Sequence, residues 1–175
     1  PICILNIGGI SNITIIEEEV GSYGFTSRDI GPGNCLIDSW VRKNSKYKFD
    51  KDGLLALLGN RNEIIFEQAQ ELFSNRPNQK TLSFDVNDFD VSFARGLSLE
   101  DGATTLTDFT ASIIGETLFS LLSKTSNKSW KVLVCGGGRK NKVLIKKIKK
   151  NTLKNIEIQL IDHYQINGDF VESQA

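Results

Sequence analysis

The chain has 175 residues, enough for one domain with a substantial core. Basic and acidic residues number 21 each, so net charge gives no pull toward nucleic acid or a membrane surface, and no apolar run approaches the roughly 20 residues that span a bilayer. Three widely spaced cysteines, Cys3, Cys35 and Cys135, form no CxxC pair; neither a disulfide framework nor a zinc site is expected, and a reducing compartment fits better. The single His163 has no companion ligand and is read as structural or solvent-facing.

In chain order, two apolar, β-branched runs, residues 2–5 and 13–16, flank Gly8-Gly9. The pair reads as a tight hairpin turn that uses the freedom of glycine at φ > 0. Asn6, Ser11 and Asn12 add polar groups at its tip, a combination suited to an anion such as phosphate. The apolar start meets this turn at once, without a basic leader, so no signal peptide is expected. Residues 23–28 give a third strand, completing a meander. Asp29-Ile30-Gly31-Pro32-Gly33-Asn34 then reads as a sharp loop, with Asn34 capping a helix to about Asn44 on whose inner face lie Leu36, Ile37, Trp40 and Val41. A strand, a glycine loop and a helix start bring backbone N–H groups and a positive dipole end to one place. Asp29, at the expected strand end, is a candidate to orient water or a metal ion.

A short helix is predicted over 53–58 and a longer one over 62–75, with Ile65, Ala69, Leu72 and Phe73 inward. Residues 76–96 show no sustained period and read as a long connection. Ser98 with Asp101 three residues later resembles a capping box opening the longest helix, to about Ser123, with Leu106, Thr110, Ile113, Thr117 and Leu121 on one face. Trp130–Cys135 reads as a strand covered on both faces. It runs into Gly136-Gly137-Gly138 and then a lysine-rich helix whose charged side is read as a solvated face. A last strand over 156–161 leads to Gly168-Asp169 and an expected helix start. The order β-β-β-α, a helical stretch, then α-β-α-β is not the regular dinucleotide pattern; it predicts an α/β fold with a mixed five-stranded sheet and helices on both faces. Neither GxxxxGK[ST] nor GxGxxG occurs. The chain opens on Pro1 directly ahead of a strand and stops at Ala175 within an expected helix, the pattern of a piece of a longer protein.

Four blocks in order, LNIGGISNIT (5–14), DIGPGNCLID (29–38), ATTLT (103–107) and CGGGRKN (135–141), resemble the signatures of the anhydro-N-acetylmuramic acid kinase family of the actin-like ATPase superfamily. The resemblance covers essentially the whole chain. It implies a ribonuclease H-like (actin-like ATPase) lobe: residues 1–175 would be the carboxy-terminal lobe of a two-lobe sugar kinase, with a mostly helical insertion at about 45–97. It implies a cytoplasmic enzyme of peptidoglycan recycling. That enzyme uses ATP and Mg2+ to open the 1,6-anhydro ring of anhydro-N-acetylmuramic acid with water and phosphorylate it, giving N-acetylmuramic acid 6-phosphate. On the same resemblance Gly8, Gly9 and Asn12 would bind phosphate. Asp29, Gly31, Gly33 and Asn34 would line the cleft, with Asp29 toward the metal. Gly136, Gly137, Gly138, Asn141, Gly168 and Asp169 would hold the nucleotide.

The family's GTSxDG phosphate loop and its water-activating aspartate, both in the amino-terminal lobe, do not occur here, and Ile30 stands where the family has Thr. The catalytic base is therefore expected outside this chain, the chain alone is expected to be inactive, and a separate chain carrying the other lobe is a possible partner. A homodimer is expected when the enzyme is complete. Two other readings stay open: another sugar kinase of the superfamily, or a non-catalytic nucleotide-binding remnant of a split gene.

Overall fold

The structure, a computed structural model, describes residues 1–19, 22–75, 83–123, 129–169 and 171. Strands β1 (Ile2–Ile7), β2 (Ile10–Glu19) and β3 (Ser22–Pro32) form the meander; β4 (Trp130–Cys135) and β5 (Ile156–Leu160) complete one sheet of order β3-β2-β1-β4-β5. β1–β2 and β2–β3 are antiparallel, whereas β1–β4 and β4–β5 are parallel. This is the mixed five-stranded sheet expected from the element order. The carboxyl ends of the adjacent parallel strands β1 and β4 run directly into Gly8-Gly9 and Gly136-Gly137-Gly138, so topology brings the two glycine turns to one end of the sheet.

Among the described residues the α-helices are α1 (Cys35–Asn44), α2 (Leu54–Leu58), α3 (Glu63–Ser74), α4 (Leu99–Leu122) and α5 (Lys142–Lys150). The alternation of β1 and β4 puts Cys3, Leu5, Ile7, Val132 and Val134 on one face, where they pack with Ala111, Ile114 and Leu118 of α4 and with Leu144 and Ile148 of α5. The other side of α4 supplies Leu106, Phe109 and Ile113 to a second core with Trp40, Phe66 and Phe73. One helix thus serves two cores, which is why nearly every residue from Gly102 to Gly115 is buried rather than a single stripe. The opposite sheet face, with Ile4, Thr14, Leu133 and Gln159, is only half-buried. Among the described residues the helices pack on one face, both cores drawing on α4; the helix expected after Gly168-Asp169 falls largely on residues outside those described.

Helix starts follow their side chains. Asn62 caps α3 by accepting from the Ile65 N–H at 3.1 Å, and Ser98 caps α4 by accepting from the Asp101 N–H at 3.1 Å. The expected capping box is only half made, since the Asp101 carboxylate accepts from the Asn60 N–H instead, tying α4 to the α2–α3 connection. In α3 the inward face differs from expectation: Phe66, Ala69 and Phe73 are buried and Leu72 is 62% exposed. Three aromatic rings, Phe84, Phe89 and Phe109, draw Phe73 inward at centroid distances of 6.1–6.4 Å, which fixes the rotation of the helix. Residues 76–82 of the long connection lie outside the described set; its later part holds two short 3-10 turns, Val86–Asp88 and Ser92–Ala94.

Candidate functional site

The site begins with a clasp between the β1–β2 turn and α1. The Gly8 carbonyl accepts from the Asn34 N–H at 2.8 Å, and the Gly9 carbonyl accepts from the Gly33 and Cys35 N–H groups at 2.9 and 3.1 Å. Three donors at the start of α1 are thereby paired with main chain, so they are not the anion cradle that the strand–loop–helix pattern suggests. Asn34 sits at the N-cap position, but its side chain makes no capping bond; the turn's carbonyls do that work. Nor does Gly8-Gly9 depend on positive φ, since neither residue lies there. Glycine is needed for close approach: a Cβ on Gly33 would stand 2.3 Å from the Gly8 oxygen.

β3 does not end at Arg28. It continues to Pro32, tolerated at the end of an edge strand, and carries one extra residue, Ile30, where Asn12 faces Asp29 and Ser11 faces Gly31. Asp29 is therefore a strand residue rather than a loop residue. Its Oδ2 accepts from the Ser83 hydroxyl and the Phe84 N–H, both at 2.9 Å, so one carboxylate oxygen holds the long connection against the sheet edge. Across the sheet, Asp29, Asn12, Asn6 and Cys135 stand opposite one another on β3, β2, β1 and β4. Gly31 does not line a cleft: it is buried, and a side chain there would meet Ile113 and Phe73.

At the second turn, Gly136 has φ of 78° and lies against Asn6 and the Ile7 carbonyl, where a Cβ would clash. Gly138 is likewise buried on Ile7, leaving Gly137 as the exposed member of the three. Asn141 caps α5, its Oδ1 accepting from the Leu144 N–H at 2.9 Å. Arg139 was not singled out by the sequence, yet it organises this corner. Its buried guanidinium pairs with Asp162 through Nε and Nη2, at 2.7 and 3.0 Å, and with Asp169 through Nη1 at 2.6 Å, while Nη1 also donates to the Gly136 carbonyl. Lys140 holds the other oxygen of Asp169 at 2.6 Å, and the Gly136 N–H donates to the Gly168 carbonyl at 2.8 Å. Gly168 and Asp169 thus meet the glycine turn from behind, as supports.

A cavity of about 280 Å³ lies between α1 and this corner, lined by Asn34, Asp38, Phe49, Gly137, Lys140 and Asn141 among others. A groove of about 480 Å³ runs from Gly9 past Cys35 and Arg42 to Asp38, which borders both spaces. The structure therefore unites Asn34, Gly137 and Asn141 on one cavity and sets Gly9 on the adjoining groove. Burial is the main force pushing the Asp38 carboxyl up to about 6; Arg42 opposes it and Asp50 adds to it. Asp38 closes the DIGPGNCLID block, and its place one helical turn after Asn34 is the sequence signal that marks it. The threonines of ATTLT serve packing: Thr104 donates to the Ala56 carbonyl and Thr105 accepts from the Asn62 N–H. Burial also raises the thiols of Cys3, to about 12, and Cys35, to about 11, and none of the three cysteines is in a disulfide. His163 is exposed. The lysine-rich face of α5 is not wholly solvated, since Lys147 pairs with Asp108 at 2.6 Å beside a separate polar cavity that includes no predicted site residue.

Two outcomes are expected. Gly33→Ala should lower stability in urea by about 1–3 kcal/mol, because backbone must move, while Gly137→Ala, whose Cβ would meet only the Asn34 amide at 3.9 Å, should stay within about 0.5 kcal/mol. The second concerns acid. Hydrogen bonds from Arg139, then Lys140, hold the Asp169 carboxyl down at about 2, against an ordinary 3.8. A lowered native value stabilises the fold above the ordinary value, and that contribution is lost as pH falls from about 4 through 2. Asp169→Asn should be less stable than the parent at pH 6, with the difference closing toward pH 2 in denaturation curves.

A family model described as anhydro-N-acetylmuramic acid kinase matches residues 2–175. The anhydro-N-acetylmuramic acid kinase of Pelagibacter ubique is 49% identical over 175 residues, covering 100% of this chain and 46% of the relative; that of Zymomonas mobilis is 35% identical, again over 100% of this chain and 46% of the relative. The chain thus spans about half the length of these curated relatives. Among solved structures, the activator of the 2-hydroxyisocaproyl-CoA dehydratase from Clostridium difficile, with bound ADPNP, superposes with a TM-score of 0.55 at 15% identity, over 96% of this chain and 55% of that one, a likeness of fold alone. With its mixed five-stranded sheet, its two glycine turns at one sheet end and a match along its entire length, this chain has an α/β fold and belongs to the anhydro-N-acetylmuramic acid kinase family.

Proposed function

We propose that this chain is the carboxy-terminal, nucleotide-holding lobe of an anhydro-N-acetylmuramic acid kinase, with a mostly helical insertion at about 45–97. The observation that carries the reading is the cavity on which Asn34, Gly137 and Asn141 converge, next to the groove that opens at Gly9. ATP lies with its nucleoside toward Gly137 and its phosphates toward Gly8-Gly9 and Asn12. Gly33 and Asn34 fix the wall between them through the clasp. Gly136 and Gly138 let the turn lie flat on Ile7, and Gly168 and Asp169 brace it through Arg139. Gly31 acts on the site only through the shape of β3.

Phosphoryl transfer is mostly positioning and charge stabilisation. The whole enzyme, in this reading, opens the anhydro ring of anhydro-N-acetylmuramic acid with water and phosphorylates it, in the cytoplasm and as a homodimer. The activating base and the opposing phosphate loop come from the amino-terminal lobe, whether on the same polypeptide or a separate chain. Mg2+ would neutralise charge on the ATP phosphates. Among the described residues no three His, Cys, Asp or Glu side chains cluster to cage a metal, but Mg2+ is held by one or two carboxylates plus phosphate and water. Asp29 fits that need through Oδ1, since among the described residues Ser83 and Phe84 engage Oδ2.

The test is a chimera in which this chain follows the amino-terminal half of the Pelagibacter ubique relative. It should form N-acetylmuramic acid 6-phosphate from anhydro-N-acetylmuramic acid, ATP and Mg2+, while the 175-residue chain alone should bind ATP without turnover. A folded, ATP-binding chimera that leaves the anhydro sugar untouched contradicts the reading.

A further inference from the structure

Asp38 stands out among the carboxylates of the α1 cavity by what it lacks. Asp50, in the same wall, has a donor on each oxygen: the Leu55 and Ala56 N–H groups at 2.8 and 3.0 Å. Asp52 faces Lys142 at 3.9 Å, and the nearby Lys140 ammonium is held by Asp169. Asp38 is half-buried on the first turn of α1, and no N–H or O–H among the described residues donates to its carboxylate. Arg42, one turn further on, lies close enough to bias its charge but makes no ion pair with it among the described residues. A carboxylate withdrawn from water without donors is destabilised, and a ligand that brings donors relieves it.

An ionised carboxylate only accepts hydrogen bonds, so the ligand group facing it must carry N–H or O–H. The phosphates of a nucleotide offer none and would be repelled. The nucleoside offers two kinds, the vicinal ribose hydroxyls and, on adenine, the exocyclic amine. The amine sits beside a ring nitrogen whose lone pair repels the second carboxylate oxygen. The diol presents two O–H groups side by side, one for each oxygen. Phe49, exposed on the same cavity wall, supplies apolar surface for the base.

We propose that the Asp38 carboxylate accepts the two ribose hydroxyls of the bound nucleotide and so sets its sugar specificity. This rests on the reading of the cavity as a nucleotide site, and it goes beyond that reading by naming the residue and the group it recognises. Burial, which already pushes this carboxyl up to about 6, makes each such hydrogen bond count for more than it would in open water.

The test is a binding cycle on the 175-residue chain with Mg2+, using ATP and 2′,3′-dideoxy-ATP against the parent and Asp38→Asn. The parent should prefer ATP over dideoxy-ATP by about tenfold or more, as expected for hydrogen bonds to a charged group. Asp38→Asn should lose most of that preference, weakening ATP about tenfold and dideoxy-ATP less than about twofold. The parent's own preference is read without any variant, so a misfolded Asp38→Asn does not blunt the test. Equal binding of the two nucleotides by the parent overturns the proposal while leaving the nucleotide site intact. Equal weakening of both by Asp38→Asn overturns it too and points to the base. Failure of the parent to bind either nucleotide overturns the nucleotide reading and this proposal together.

Discussion

Three main-chain hydrogen bonds from Gly33, Asn34 and Cys35 to two carbonyls of Gly8-Gly9 hold this fold in register. They join the first turn of the meander to the first helix after it. They satisfy donors that a helix start leaves open and acceptors that a hairpin tip leaves open, without using a side chain. The approach they require is so close that Gly33 tolerates no Cβ. From this joint α1 runs back to α4, where the Trp40 indole donates to the Leu99 carbonyl at 2.9 Å. α4 then fills both cores. The wall formed by Asn34 and Asp38 is thus fixed from the sheet on one side and from the central helix on the other.

The opposite wall is built by a different force. There the turn after β4 is pinned by charge: Arg139 is almost wholly buried, and two carboxylates from beyond β5 neutralise it with short, directional bonds. An unpaired guanidinium at that depth would be costly, so the Gly168-Asp169 segment is bound to the turn wherever the protein is above strongly acid pH. Neutral main-chain bonding on one wall and buried ion pairing on the other leave Gly137, Asn34 and Asn141 facing a space that nothing in the described chain fills. A nucleotide cleft needs that combination of rigid walls and small facing residues.

Much of this could be read from the residues. The order of elements along the chain, the three glycine clusters and the Ser98 cap are local patterns, and local patterns decide where elements start and turn. What could not be read depends on distant partners. Gly8-Gly9 looks like a positive-φ turn until Gly33 is known to lie against it. Pro32 looks like a strand breaker until β3 is known to be an edge. Leu72 and Phe66 differ by rotation of one helix, which Phe84, Phe89 and Phe109 decide from elsewhere in the chain. Arg139 reads as one more basic residue after a glycine run, because Asp162 and Asp169 lie more than twenty residues away. The carboxylates of Asp29 and Asp169, natural candidates for ligand contact, are bonded within the chain, whereas that of Asp38, marked in the sequence only by its spacing from Asn34, is met by no donor among the described residues.

The central claim is that this chain binds nucleotide at the Gly137–Asn34–Asn141 cavity while the amides at the start of α1 stay committed to the clasp. Amide-resolved NMR of the chain titrated with ADP tests it most directly. The account predicts the largest shift changes at Asn34, Asp38, Gly137 and Asn141, with the Gly33 and Cys35 amides protected from solvent exchange both before and after ADP is added. Changes centred instead on the polar cavity beside Lys147 and Asp108, or Gly33 and Cys35 amides that exchange freely without ligand, would contradict it.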